Sequence, residues 1–200
     1  MKKFVLLFVI LYSSTSFSQE KWTIASAKAF QKQINKEYAD KKESPLTEED
    51  LITFKSLDFF PIYNKYAVTA KFIKAKNEKA FKMKTTGTRL PEYIKYGVLH
   101  FTINGKPLKL NVYQNIELSI RPGFEEYLFL PFSDLTCGKE SYIGGRYIDM
   151  KFPKSDTVLL DFNTAYNPYC AYNHKYSCPI VPLENDLDIE IKAGVKKFHE

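Results

Sequence analysis

Two stretches of the chain hold the side chains best suited to chemistry. GKESYIGGRYIDM, residues 138–150, sets two glycines before an arginine; DFNTAYNPYCAYNHKYSCP, residues 161–179, gathers one Asp, three Asn, two Cys, one His and four Tyr. In the first, Gly144 and Gly145 both tolerate positive φ. They can form a tight turn or let backbone N–H groups converge on an anion. Arginine occurs only at 89, 121 and 146 in a lysine-rich chain, so Arg146 reads as a position wanting a planar donor fork. Alternation along the strand that follows puts Tyr147 and Asp149 on one face, and Asp161 and Asn163 share a face in the second stretch. If those two strands pair, Asp149 and Asp161 approach across the ladder. Two nearby carboxylates raise one pKa, as general acid–base chemistry requires, with Glu140 as a further acid. The alternative is that Asp161 and Asn163 bond local backbone, as turn residues do, and that Asn167-Pro168 marks a turn.

Cys170, His174 and Cys178 form a C-x3-H-x3-C pattern. Structural zinc wants four ligands and usually closer cysteine spacing, so a disulfide between Cys170 and Cys178 is the expected pairing in an oxidising space. Cys137 is left over, as an apolar filler or a free thiol. His100 and His199 stand far from His174, and no nucleophile is paired with any of them. The nucleophile-elbow, zincin, phosphate-loop and dinucleotide patterns are absent, and nothing calls for a cofactor or metal. Four tyrosines in one segment supply flat amphipathic surface, for a sugar or aromatic ligand or for packing.

The elements that must position these residues are mostly strands. Ala27, Phe30, Ile34 and Tyr38 recur at helical spacing and predict a helix over 22–42, within an N-terminal region 19–43. Thr47 with Asp50 reads as a capping-box variant opening a short helix at Glu48. From Leu57 the period becomes two. Tyr66, Val68, Ala70 and Phe72 alternate, and 80–83 resume after a turn at 77–79. Leu99, Phe101 and Ile103 lead into Asn104-Gly105 and return through Leu108, Leu110 and Val112, a hairpin with a favoured two-residue turn. Further strands are expected at 126–132, 146–152, 158–163 and 187–193. Strands joined without intervening helices predict antiparallel pairing. The expected fold class is mainly β (α+β): an antiparallel β-sandwich or open barrel with one or two N-terminal helices, residues 44–200 forming a single β-rich domain.

The N-terminus sets the compartment. Lys2 and Lys3, the apolar run Phe4–Tyr12, and Ser16 and Ser18 have the three regions of a signal peptide over residues 1–18, with cleavage after Ser18. Nine apolar residues are too few to span a bilayer, which needs about 20. The expected location is therefore the periplasm or outside the cell. The net charge of +6 is carried by dispersed lysines, whereas a nucleic-acid partner needs a clustered patch.

Several long stretches, in order, resemble the DUF1684 family, an uncharacterised domain family: SPLTEEDLITFKSLDFFPI, MKTTG, EYLFLPFSDLTCGKESYIGGRYIDM, LDFNTAYNPYCAYNHKYSCPIVPLEN and a closing IKAG. The resemblance covers residues 44–195. It implies that Gly145, Arg146, Tyr147, Asp149, Asp161, Asn163, Asn167, Pro168, Cys170 and Cys178 belong to the family's characteristic core, and that Cys137 departs from it. It also implies a Cys pair in members without export signals, which keeps a reduced pair in play. The resemblance brings no activity with it. Two functional expectations follow from the residues. One is a cell-envelope binding module, whose polar pocket for a small-molecule, sugar or anionic ligand is built from Glu140, Gly144, Gly145, Arg146, Tyr147, Asn163 and Asn167. The other is a hydrolase using Asp149 and Asp161.

Overall fold

The structure, a computed structural model, describes residues 22–199; the expected leader, residues 1–18, lies outside the described residues. Helix α1 spans Ile24–Ala39 and opens with a capping box between Thr23 and Ser26, burying Ala27, Ile34 and Tyr38. Helix α2, Glu48–Thr53, starts at Thr47, whose hydroxyl accepts from the Asp50 N–H and donates to its carboxylate. Both starts follow the rule that a side-chain oxygen must satisfy the free N–H groups of a first turn.

Eight strands form one curled, half-barrel sheet. They are β1 Ala67–Lys74, β2 Phe81–Lys82, β3 Glu92–Ile103, β4 Lys106–Asn115, β5 Tyr127–Asp134, β6 Arg146–Lys151, β7 Thr157–Asp161 and β8 Asp186–Leu187, with a short helix α3, Ile116–Ser119, after β4. The order is β6-β5-β4-β3-β1-β7, with β2 added to β3 and β8 to β5. The fold class is the expected one in its open-barrel form: mainly antiparallel, with helices at the N-terminal end. The β3–β4 hairpin turns at Asn104 and Gly105, both at positive φ, and sets Leu99 opposite Leu110.

The structure differs from the sequence expectation at three points, involving four strands. Residues 81–82 pair with β3 and do not return along β1. Of the expected 187–193 strand only Leu187 is β, in the two-residue strand Asp186–Leu187, which runs parallel to β5. The 146–152 and 158–163 strands do not pair: β6 lies on β5 and β7 on β1, at opposite ends of the strand order.

The sheet buries both faces. Leu99, Phe101, Ile103, Leu110, Val112, Leu128, Leu130, Phe132, Ile148 and Leu160 fill the inner face with Phe162. The other face carries Tyr93, Tyr113, Phe129 and Tyr147 with Met83. Alternation along the strands produces this split, and a bulge between Lys95 and Gly97 of β3 sets the face that Tyr93 takes. One extra residue reverses the facing of what precedes it, so Tyr93 points away from the side that Leu99 fills. Gly97 is needed there, because a Cβ would stand 2.3 Å from a ring carbon of Phe72. Helix α1 packs through Ile34 and Tyr38 on Leu46, Leu57, Tyr172 and Val195, beside the tyrosine face. No helix among the described residues is long and apolar enough to cross a membrane.

Candidate functional site

Alternation along β5 and β6 places Tyr127, Phe129, Tyr147 and Asp149 on the outer face. The segment after β7 then covers them. Tyr147 and Tyr166 exchange both backbone hydrogen bonds, at 2.8 and 3.0 Å, so Tyr166 extends the sheet edge by one residue. Further along, the Thr86 N–H donates to the Cys178 carbonyl and the Cys178 N–H to the Thr86 hydroxyl, Ile180 donates to the Lys84 carbonyl, and Arg89 donates to the Ser177 carbonyl at 2.6 Å. A segment held at both ends, facing α1 across the sheet, leaves a cleft of about 880 Å³ between them.

The cleft is walled by rings: Phe30 and Tyr38 from α1; Tyr93, Tyr127, Phe129 and Tyr147 from the sheet; Tyr166, Tyr169 and Tyr176 from the covering segment. Phe129 meets Tyr147 edge-on at 4.7 Å between centroids, and Tyr147 meets Tyr166 at 6.0 Å and 89°. Asp149 is the carboxylate of the sheet wall. Its Oδ1 accepts from the Tyr127 hydroxyl at 2.7 Å and the Tyr166 hydroxyl at 2.6 Å. Its Oδ2 has no hydrogen bond among the described residues. Asp149 and Tyr127 also line a smaller recess of about 490 Å³ with Glu126 and Lys151. The carboxylate is thus open to solvent through both spaces. Even so, the protein packed around it pushes its pKa above the usual carboxylate range, the two tyrosine donors opposing that rise. Burial first, and the Asp149 charge second, push the Tyr127 hydroxyl up.

The predicted residues divide between this cleft and the framework. Tyr147 and Asp149 line it, with Pro168 and Cys178. Arg146 does not, which corrects the expectation that it holds a ligand. One residue earlier on the same strand, it points to the inner face and is fully buried. It donates to Asp134 Oδ2 at 2.6 Å, to the Ile191 carbonyl at 2.8 Å and to the Ala193 carbonyl, with Phe60 and Phe132 rings beside it. Asp134 Oδ1 accepts from the Thr136 N–H and hydroxyl and from the Ile191 N–H. The planar fork reads the protein's own C-terminal segment.

Gly145 alone of the glycine pair has positive φ, at +85°. A Cβ there would meet the Phe132 carbonyl oxygen at 2.6 Å, so this turn closes against β5 and leaves no anion nest. Glu140 pairs with Lys192 at 2.9 Å. Asp161 accepts from Trp22 Nε1 at 2.8 Å and from the Asn163 N–H and amide. Asn163 in turn bonds both backbone groups of Tyr63. The Asp161 bond to the Asn163 N–H is the local capping alternative, whereas the Tyr63 bonds reach 100 residues away; Asp161 stands apart from Asp149, and the two carboxylates share no strand pair and no partner. Asn167 is buried and donates to the Lys196 carbonyl.

Cys170 and Cys178 are neighbours but not bonded. The Cys170 N–H donates to Cys178 Sγ at 3.1 Å, and Cys170 Sγ lies 3.7 Å from the Tyr142 hydroxyl. The Cys178 thiol, with Tyr142 and Thr86, favours the thiolate at Cys170 and pulls its pKa down; the thiol that keeps the shared proton, Cys178, is pushed up. Cys137 is a half-buried free thiol accepting from the Asp134 N–H. His174 is exposed, and no cluster of three or more His, Cys, Asp or Glu side chains forms among the described residues.

Tyr93, Tyr127, Phe129 and the α1 rings were not singled out from the sequence. The odd-numbered aromatics of EYLFLPF were the available signal, but both faces of that strand are apolar, so alternation alone marked neither as a site.

No curated protein matches the chain. An uncharacterised protein of Haloarcula marismortui, with a structure determined by solution NMR, is similar at a TM-score of 0.67 and 28% identity, over 86% of this chain and 92% of its own. The family described as protein of unknown function DUF1684 matches residues 52–196, the span that holds the whole sheet, the Arg146–Asp134 clamp and the tyrosines beside Asp149. The chain belongs to the DUF1684 family.

Proposed function

We propose that the protein is an exported, cell-envelope binding module that takes a small ring-bearing molecule into the tyrosine-walled cleft beside Asp149. One observation carries this reading: nine aromatic rings and the Asp149 carboxylate, whose Oδ1 alone is engaged by the tyrosines, converge on a single space of about 880 Å³. Ligand pockets are mostly apolar spaces of this size with a few placed polar groups. A thermal-shift and titration series with glucose, N-acetylglucosamine, benzyl alcohol and benzylamine tests it. At least one should raise the Tm of the wild type, and Tyr166→Ala should abolish that shift. A Tm and tyrosine fluorescence unmoved by all four would end the proposal.

Export rests on Lys2, Lys3 and the apolar run after them. In an oxidising space Cys170 and Cys178, already adjacent, would join and fix the segment that walls the cleft. Protein purified from its native source should begin at Gln19 and titrate, unfolded, a single thiol, that of Cys137. A chain beginning at Met1 with all three thiols free would remove export and bridge together.

A further inference from the structure

The donors and acceptors of the cleft are unequally spent. The hydroxyl protons of Tyr127 and Tyr166 both go to Asp149 Oδ1, and that of Tyr147 goes to the Pro179 carbonyl. Three of the tyrosines nearest the carboxylate therefore offer a ligand ring surface and lone pairs, and no proton. Asp149 Oδ2 is the complementary vacancy, an acceptor without a donor among the described residues. The one guanidinium placed close to this strand, Arg146, faces the other side of the sheet and is consumed by Asp134. At the rim, Glu37 stands with Arg89 and Lys175; all three are exposed, as Asp149 is, so solvent and salt screen all four, but of these Asp149 is the one that accepts from two tyrosine hydroxyls walling the cleft. The deciding charge is the one among the rings.

From this arrangement we infer that the ligand is an organic cation, whose ammonium or guanidinium group donates to Asp149 Oδ2 while its hydrocarbon surface lies on the surrounding rings. An anion would find no free donor beside Asp149 and one fixed like charge. A neutral sugar could donate a hydroxyl to Oδ2, but would leave the attraction between a cation and the tyrosine rings unused. An ammonium bound at a carboxylate within an aromatic wall uses both. This inference depends on the cleft being a binding site, and it selects the chemistry of the guest.

Three compounds of nearly one shape separate the charge from the ring: benzylamine, benzyl alcohol and benzoate. Titration of the full-length mature protein should show benzylamine binding roughly tenfold or more tightly than benzyl alcohol, the size of one cation–ring contact, with benzoate showing no binding. Cyclohexylamine, which keeps an N–H donor and a hydrocarbon ring, should compete with benzylamine and glucose should not. Asp149→Asn should remove the preference for benzylamine over benzyl alcohol. The wild type keeps the charge test even if Asp149→Asn does not fold: benzylamine affinity should fall as pH drops through the carboxylate range while benzyl alcohol affinity stays unchanged, and a flat benzylamine profile would overturn the cationic guest. Benzyl alcohol or glucose binding as well as benzylamine would overturn the cationic guest and leave the cleft as a binding site; so would an undiminished benzylamine preference in a folded Asp149→Asn. Failure of every compound, sugars included, would overturn the cleft itself.

Discussion

Asp149 shows what a neighbourhood does to one residue. Its carboxyl, though open to solvent, is raised by the protein packed around it, against two tyrosine donors from β5 and the covering segment. The charged and titratable groups around it are Tyr127, Tyr166 and Glu37 on the cleft side, and Glu126 and Lys151 on the recess side. A carboxyl raised on folding binds its proton more tightly in the folded chain. Its penalty is absent below the unfolded value, about 3.9, and grows as pH rises through the raised folded one. Asp149→Asn should therefore be more stable than wild type at neutral pH, with the difference fading as pH falls through the carboxylate range; urea midpoints across pH check this. A guest cation reverses the penalty by favouring the ionised form. Benzylamine affinity should then fall over the same acid window, with proton release on binding visible by calorimetry in buffers of different ionisation enthalpy. A flat profile would show that Asp149 does not face the guest.

At the scale of elements, the C-terminal segment is the weakest in pattern and among the most firmly held. Residues after Leu187 make almost no regular strand, yet Ile191, Ala193 and Val195 are buried. Ile191 and Ala193 are held by one ion pair: Arg146 on β6 and Asp134 at the end of β5 each reach the backbone of Ile191, and Arg146 also reaches Ala193. Both side chains are fully buried. Removing one partner leaves a buried charge and costs about 3–5 kcal/mol. Arg146→Ala and Asp134→Ala should each lower stability by that amount in urea denaturation, and the double variant by less than the sum, because the second change removes an already unpaired charge. Additive losses would show that the pair is not the clamp. Val195 also donates to the Ala165 carbonyl, so loosening this segment should disturb the base of the segment that walls the cleft.

At the scale of the whole molecule, the cleft belongs to no single stretch of chain. Its walls come from α1, from the outer face of β3, β5 and β6, and from residues 166–179, with Arg89 at the rim. Much of the framework was legible locally. The capped starts of α1 and α2, the Asn104-Gly105 hairpin and the capping of the Asn163 N–H by Asp161 depend on neighbours a few residues away, and such chemistry is written in the chain. The alternation that put Tyr147 with Asp149, opposite Ile148, was legible for the same reason. The direction of each face was not. Arg146 read as a ligand-holding fork because its partners, Asp134 and the carbonyls of Ile191 and Ala193, are 12 to 47 positions away. Asp149 and Asp161 read as a pair because strand order in a sheet is set by long-range packing. The bulge at Lys95–Gly97, which turns Tyr93 toward the cleft side, depends on the space Phe72 takes from another strand. The sequence by itself determined which elements form, where they begin, and which side chains share a face, because backbone period and capping act over a few residues. Only the tertiary structure decided which face looks into the cleft and which charge is spent inside the protein, because those depend on groups that the chain brings together only when the sheet closes.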